Sequence, residues 1–211
     1  MSGMLISMAK GTLISFQVFF LTLLFSLPLG LVVVLGRMSK KQIVSAPVKL
    51  FMLIIRGTPL ILQLIFVYFA PYYLFGVSWD RFTAAIVAFS INYAAYFAEI
   101  YRGGIESIPR GQYEAAKVLG FTRVQTFFRI ILPQVIKRIL PASGNEVITL
   151  VKDTALAQVI GVAELFRVAQ NAASREFSTT PIFIAGVFYF VMNWAVSAGF
   201  VRLEKKLDYY R

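Results

Sequence analysis

"GTLISFQVFFLTLLFSLPLGLVVVLG", from Gly11 to Gly36, carries no charged side chain from end to end. A helix crosses a bilayer with about 20 consecutive, mostly apolar residues, and this run is longer than that. Its apolar stretch also exceeds the roughly 7–15 residues of a signal-peptide core, and no small-residue cleavage site follows it, so it is expected to stay in place. Pro28 removes one backbone donor near its middle, where a kink is expected.

The same pattern repeats along the chain. Gly57 to Trp79 and Phe177 to Val201 are uncharged. Phe82 to Ala98 is slightly short but extends through Glu99 to Gly103 and Gly104. Ile139 to Ala163 is apolar apart from Glu146, Lys152 and Asp153. These runs predict an all-α membrane protein of five transmembrane helices in one domain, residues 1–211. The composition agrees: mean hydropathy is +0.73, and charged residues make up 15% against about 25% in soluble domains.

Lysine and arginine number 21 against 10 acids. Such an excess suits either nucleic-acid binding or cytoplasmic loops, and the basic residues cluster between apolar runs, which argues against nucleic acid. Cysteine and histidine are both absent. Disulfides, thiolate chemistry and the usual zinc sites are therefore excluded, and no carboxylate loop suggests another metal. No catalytic group is expected either, since no nucleophile or acid cluster marks a membrane face.

Orientation follows from the loops, because lysine and arginine resist translocation. Arg37, Lys40, Lys41 and Lys49 follow the first span, whereas Asp80 and Arg81 are the only charges after the second. Arg102, Arg110, Lys117, Arg123, Arg129, Lys137 and Arg138 load the third connection, and Arg202, Lys205, Lys206 and Arg211 load the tail. The N-terminus is expected outside and the C-terminus in the cytoplasm. The connection before the last span, with Glu164, Arg167, Arg175 and Glu176, is charge-balanced and long enough for a short helix near Val162 to Ala173.

The third connection, about residues 105–133, holds "YEAAKVLGFTRVQTFFRIILP" from Tyr113 to Pro133. At 100° per residue Ala115, Ala116, Val118 and Leu119 share one side of a short helix, and Glu114 and Lys117 share the other. Pro109 suits its start, and Gly120 accepts the positive φ that ends it. Periodicity alone fits equally a helix lying on lipid headgroups. The spacing of Glu114-Ala115-Ala116, Gly120, Ile130 and Leu132-Pro133 resembles the EAA loop of membrane subunits of ABC importers. "RGTPLILQL" from Arg56, "AAYFAEIYRGGIESIPRGQYEAAKVLG" from Ala94 and "LPASGNEVITLVKDTAL" from Leu140 look like the polar amino-acid permease branch of that family.

That resemblance implies a coupling helix, Glu114 to Gly120, with Leu119 among its contacts, fitting a groove on a separate ATP-binding subunit. It also implies an identical or similar permease partner, an extracytoplasmic solute-binding protein, a bacterial cell membrane and a polar amino-acid cargo. No G-x-x-x-x-G-K-[ST] phosphate loop occurs in the sequence, so ATP and magnesium are expected on the partner and no cofactor in this chain. An ATP-independent amino-acid channel or secondary transporter is the alternative.

Ionisable groups inside spans are costly and are functional candidates by default. Asn92, Tyr96, Glu99 and Gly103 share one side of span three, and Glu146, Thr149 and Asp153 one side of span four. Hydrogen bonding between helices is an open alternative for Asn92, Tyr96 and Glu99. Glu146, near mid-span, points to the substrate pathway, and Lys152 can pair with Asp153. The set can meet both ends of a zwitterion, and its surplus of acids favours cationic cargo. Thr58 reads as an N-cap with Pro59 at the first helical position, Arg56 snorkels to the cytoplasmic face, and Gln63, one turn in, is a pathway candidate.

Overall fold

A computed structural model describes residues 2–207 and shows only helices among them. Arg211 lies outside the described residues. The uncharged N-terminal run becomes α1 (Ser2–Arg37), which continues as one helix through Pro28. α2 (Gln42–Gly57) and α3 (Leu60–Phe75) follow, then α4 (Arg81–Glu106) and α5 (Arg110–Val118). A three-residue α6 (Arg123–Gln125) leads through a π-helical turn (Thr126–Ile131) into α7 (Leu132–Asp153), which tightens into a 3₁₀ stretch (Thr154–Ile160). α8 (Leu165–Glu176) and α9 (Thr180–Leu207) complete the chain.

α4 is the central helix. Asp80 caps its start by accepting from the Thr83 amide at 3.0 Å. Its buried residues alternate alanines with rings: Ala84, Ala85, Ala88, Ala94, Ala95 and Ala98 with Phe89, Tyr93 and Phe97. Small residues let helices approach closely where hydrocarbon provides no hydrophobic drive between them. At Gly30 of α1 a Cβ would lie 3.1 Å from Phe97 Cβ and 3.2 Å from the Ala94 carbonyl, so the α1–α4 contact depends on that glycine. The resulting core joins Val18 and Phe19 of α1 to Leu150 and Val151 of α7 and to Leu165 and Ala169 of α8. Outward, α1 presents Phe20, Leu24, Val32 and Leu35, all more than 60% exposed, which is the surface a bilayer solvates.

α1, α4 and α9 are each long and apolar enough to cross a membrane alone. The expected second span has a different form: α3 is only sixteen residues, and α2 meets it at 112° across a two-residue break. Thr58 is not the N-cap of α3. Its hydroxyl donates to the Ile54 carbonyl at 2.8 Å and it ends α2, while Pro59 takes the N-cap position. Pro59 is itself extended at ψ 135°, so the first helical residue is Leu60, and the Thr58 hydroxyl is already committed to α2. α7 starts earlier than expected and turns to 3₁₀ geometry at Thr154, and Lys137, Arg138, Glu146, Lys152 and Asp153 lower its hydropathy. α8 begins at Leu165 rather than near Val162, because the Glu164 carboxylate caps the Phe166 and Arg167 amides.

Candidate functional site

Two places combine chemistry with position. The first is α5, anchored at both ends. Pro109, extended at ψ 141°, sets its start. Its end is a Schellman closure: Gly120 sits at φ +77°, its amide donates to Lys117 O at 3.1 Å, and the Phe121 amide donates to Ala116 O at 3.0 Å. Thr122 and Gln125 then form a reciprocal capping box, so the next helix begins at once. Beneath, Ile108, Ile131 and Val135 make a small core with Ile105, Phe127, Ile130 and Ile139. Gln134 Nε2 donates to Gln112 Oε1 at 3.2 Å, and Arg138 donates to the Ser107 carbonyl.

The expected apolar side of α5 divides. Ala116 is buried at 1%, whereas Val118 is 87% and Leu119 73% exposed, with Glu114, Ala115 and Lys117 also open. The helix is therefore held by its two ends and by Ala116, and leaves its larger apolar side chains exposed.

The second place lies among α2, α3, α4 and α7. Gln63 Nε2 donates to Ile55 O (2.7 Å), Thr58 O (3.1 Å) and Thr58 Oγ1 (2.9 Å), and its Oε1 accepts from Asn92 Nδ2 at 3.0 Å. These bonds satisfy carbonyls that the α2–α3 break frees, so both amides are committed to the bend. Glu99 accepts from Arg102 at 2.5 and 3.1 Å and lies 3.6 Å from Arg56, whose guanidinium sits 5.5 Å from the Tyr96 ring centre. Arg102 also bonds Glu106. Arg56 thus reaches across to α4 instead of only lying along the surface.

Glu146 and Asp153 are half-buried on α7, and Thr149 is exposed beside them. Asp153 accepts from the Tyr93 hydroxyl at 2.8 Å, a partner that sequence reasoning missed because it stands sixty positions away. Lys152 is exposed and makes no ion pair within 4 Å with Asp153 among the described residues. Glu146 and Asp153, seven positions apart, lie on one side of α7 two turns from each other. With Asn145, the residues Thr149 and Lys152 form a polar stripe on the open side of α7.

Glu164 was legible only as part of a charge balance, yet it is fully buried. Its carboxylate accepts from the Phe166 and Arg167 amides at 2.7 Å each, from Tyr189 Oη at 2.8 Å and from Ser15 Oγ at 3.5 Å. It ties α1, α8 and α9 together. Burial pushes its pKa above the ordinary carboxylate value, and the four donors pull it back in part.

Residues 10–209 match the family described as "Binding-protein-dependent transport system inner membrane component". The L-cystine transport system permease protein TcyB of Bacillus subtilis (strain 168) is 40% identical over 90% of this chain and 82% of its own length. The arginine transport system permease protein ArtQ of the same strain is 37% identical over 94% and 91%. Among solved structures, an amino acid ABC transporter with histidines superposes with a TM-score of 0.88 at 36% identity, covering 95% of this chain and 94% of that one. The MetNI methionine transporter, at 20% identity and a TM-score of 0.73 over 97% and 95%, shares the fold.

Proposed function

The chain belongs to the family of binding-protein-dependent transport system inner membrane components, and on that premise we propose how its geometry serves an ATP-driven importer of polar amino acids. It is the membrane-spanning subunit of that importer, in a bacterial plasma membrane, and the ATP chemistry belongs to a separate subunit. The relatives are named for L-cystine, arginine and glutamine, all polar or charged at both ends of the molecule. The observation that carries the mechanism is α5, fixed by Ala116 and the Gly120 closure while Val118 and Leu119 stand bare.

A short helix gripped at both ends transmits a push as a rigid body, and bare apolar side chains beside Glu114 suit a groove on the ATP-binding subunit. When ATP and magnesium close the partner's nucleotide sites, α5 moves with them. The capping box and π-helical turn carry that movement into α7, which bears Glu146, Thr149 and Asp153. Glu146 and Asp153 lie about 10 Å apart along the helix at 1.5 Å per residue. They meet the ammonium or side-chain cation of the cargo, Lys152 meets its carboxylate, and Tyr93 holds Asp153 in place.

The polar stripe of Asn145, Thr149 and Lys152 cannot face hydrocarbon at low cost, and one copy leaves it uncovered. A second identical or similar permease, related by a two-fold axis, would enclose it as a pathway and supply a second α5. In this arrangement α1, α3, α4, α7 and α9 are the five crossings, the N-terminus is outside, and an extracytoplasmic binding protein delivers cargo.

Co-expression with the ATP-binding subunit tests the reading. Glu114→Lys and Gly120→Pro are each expected to abolish capture of that subunit and uptake together. Uptake that survives both changes would establish an ATP-independent channel or secondary transporter instead. ATPase stimulation by a panel of amino acids with their binding proteins identifies the cargo.

A further inference from the structure

The first acidic residue of the chain is Asp80, while Arg37, Lys40 and Lys41 gather at the turn between α1 and α2 and Lys49 follows two turns into α2. Lys40, Lys41 and Lys49 are exposed, and none forms an ion pair among the described residues. Bare apolar side chains alternate with them: Met38 and Val44 are 40% exposed, Leu50 57% and Ile43 85%. α2 is held through Met52, which packs with Val34 of α1 and Ala98 of α4; Lys49, three positions before it, flanks that contact, and Ile43 and Leu50 face away from it. The 112° bend also keeps α2 out of line with α3.

We propose that the α1–α2 turn and the first half of α2 bind anionic phospholipid headgroups. The lysines meet the phosphates, and Met38, Ile43 and Leu50 enter the acyl boundary. The inference rests on the reading of this chain as a membrane subunit with that turn on the cytoplasmic side. What favours lipid over a protein partner is continuity: the patch caps the surface on which α1 turns Leu31, Val32 and Leu35 outward. The helix offered to the ATP-binding subunit, α5, sits instead on the π-helical turn. Unpaired lysines among exposed apolar side chains at the edge of a hydrocarbon-facing surface match the chemistry of an interfacial helix on acidic lipid.

The test uses the full transporter exposed to equimolar phosphatidylglycerol and phosphatidylcholine, with bound lipid counted by native mass spectrometry. Wild type is expected to retain phosphatidylglycerol preferentially, with each lysine contributing about fivefold at low salt. The preference should shrink as salt rises from about 0.05 to about 0.5 M. In the Lys40→Gln, Lys41→Gln, Lys49→Gln triple variant it should fall at least severalfold. A salt-independent preference, or one equal in the triple variant, overturns the proposal. So does loss of the ATP-binding subunit from the triple variant with lipid preference intact, which would make the patch a protein contact. Glu114→Lys run in parallel separates the two readings, since it should lose the subunit and keep the lipid.

Discussion

Tyr93 and Glu164 show how much a single side chain can decide in a medium without water. The Tyr93 hydroxyl donates to Asp153 at 2.8 Å from a ring that is otherwise fully buried, so Tyr93→Phe removes one bond and leaves the packing. Uptake is expected to fall severalfold while ATPase capture stays normal, and a transport assay beside a pull-down checks both. Glu146→Gln should likewise weaken transport with assembly intact, and normal uptake would remove Glu146 from the pathway. Glu164 behaves oppositely. Each of its oxygens accepts a backbone amide at 2.7 Å, so Glu164→Gln turns one acceptor into a donor aimed at an N–H. A loss of about 2–3 kcal/mol is expected, read as a lowered melting temperature in detergent. Gly11 tests packing: a Cβ there would lie 2.9 Å from Leu165 Cα, a backbone atom that cannot swing aside. Gly11→Ala should cost about 1–3 kcal/mol by the same measurement.

Among the elements, legibility in the sequence tracked where charge punctuates apolar runs. α4 and α9 start within three residues of their uncharged runs, and α1 ends at Arg37 as its run predicts but begins at Ser2, nine residues before the run and across Lys10. The start of α3 was marked by Arg56 and Pro59, but the 112° bend from α2 was not, since it is held by the Gln63 amide bonding back to the Ile55 and Thr58 carbonyls. α2 itself escaped notice because its basic residues read as a loop. α5 was visible at residue level, since Gly120 and the EAA spacing are local, but which of its apolar residues face inward was not. Burial of Ala116 depends on how the chain folds α5 back onto the Thr126–Ile131 turn, a contact set by tertiary structure. The pathway candidates were legible as polar residues at helical spacing, whereas Tyr93 was hidden because its partner lies on another helix. Glu164 was hidden because a cap and a surface charge look alike in sequence.

At the scale of the whole molecule the distribution of exposed groups argues for company. α9 is buried over only 11% of its most apolar window, and α7 leaves Asn145, Thr149 and Lys152 open. The first surface suits lipid and the second does not, so the two should differ in their access to water. The sequence contains no cysteine, which lets a single introduced thiol report its own surroundings. Thr149→Cys in the assembled transporter is expected to react with a membrane-impermeant thiol reagent, and Leu24→Cys, on the outward side of α1, to resist it. Cargo with its binding protein should slow the Thr149→Cys reaction, since the pathway is then occupied. If both positions react alike, or if Thr149→Cys is protected as fully as Leu24→Cys whatever the cargo and nucleotide, the stripe on α7 lines no aqueous path. The polar residues of α7 would then be interhelical bonds awaiting a partner, and the passage would have to run along another face.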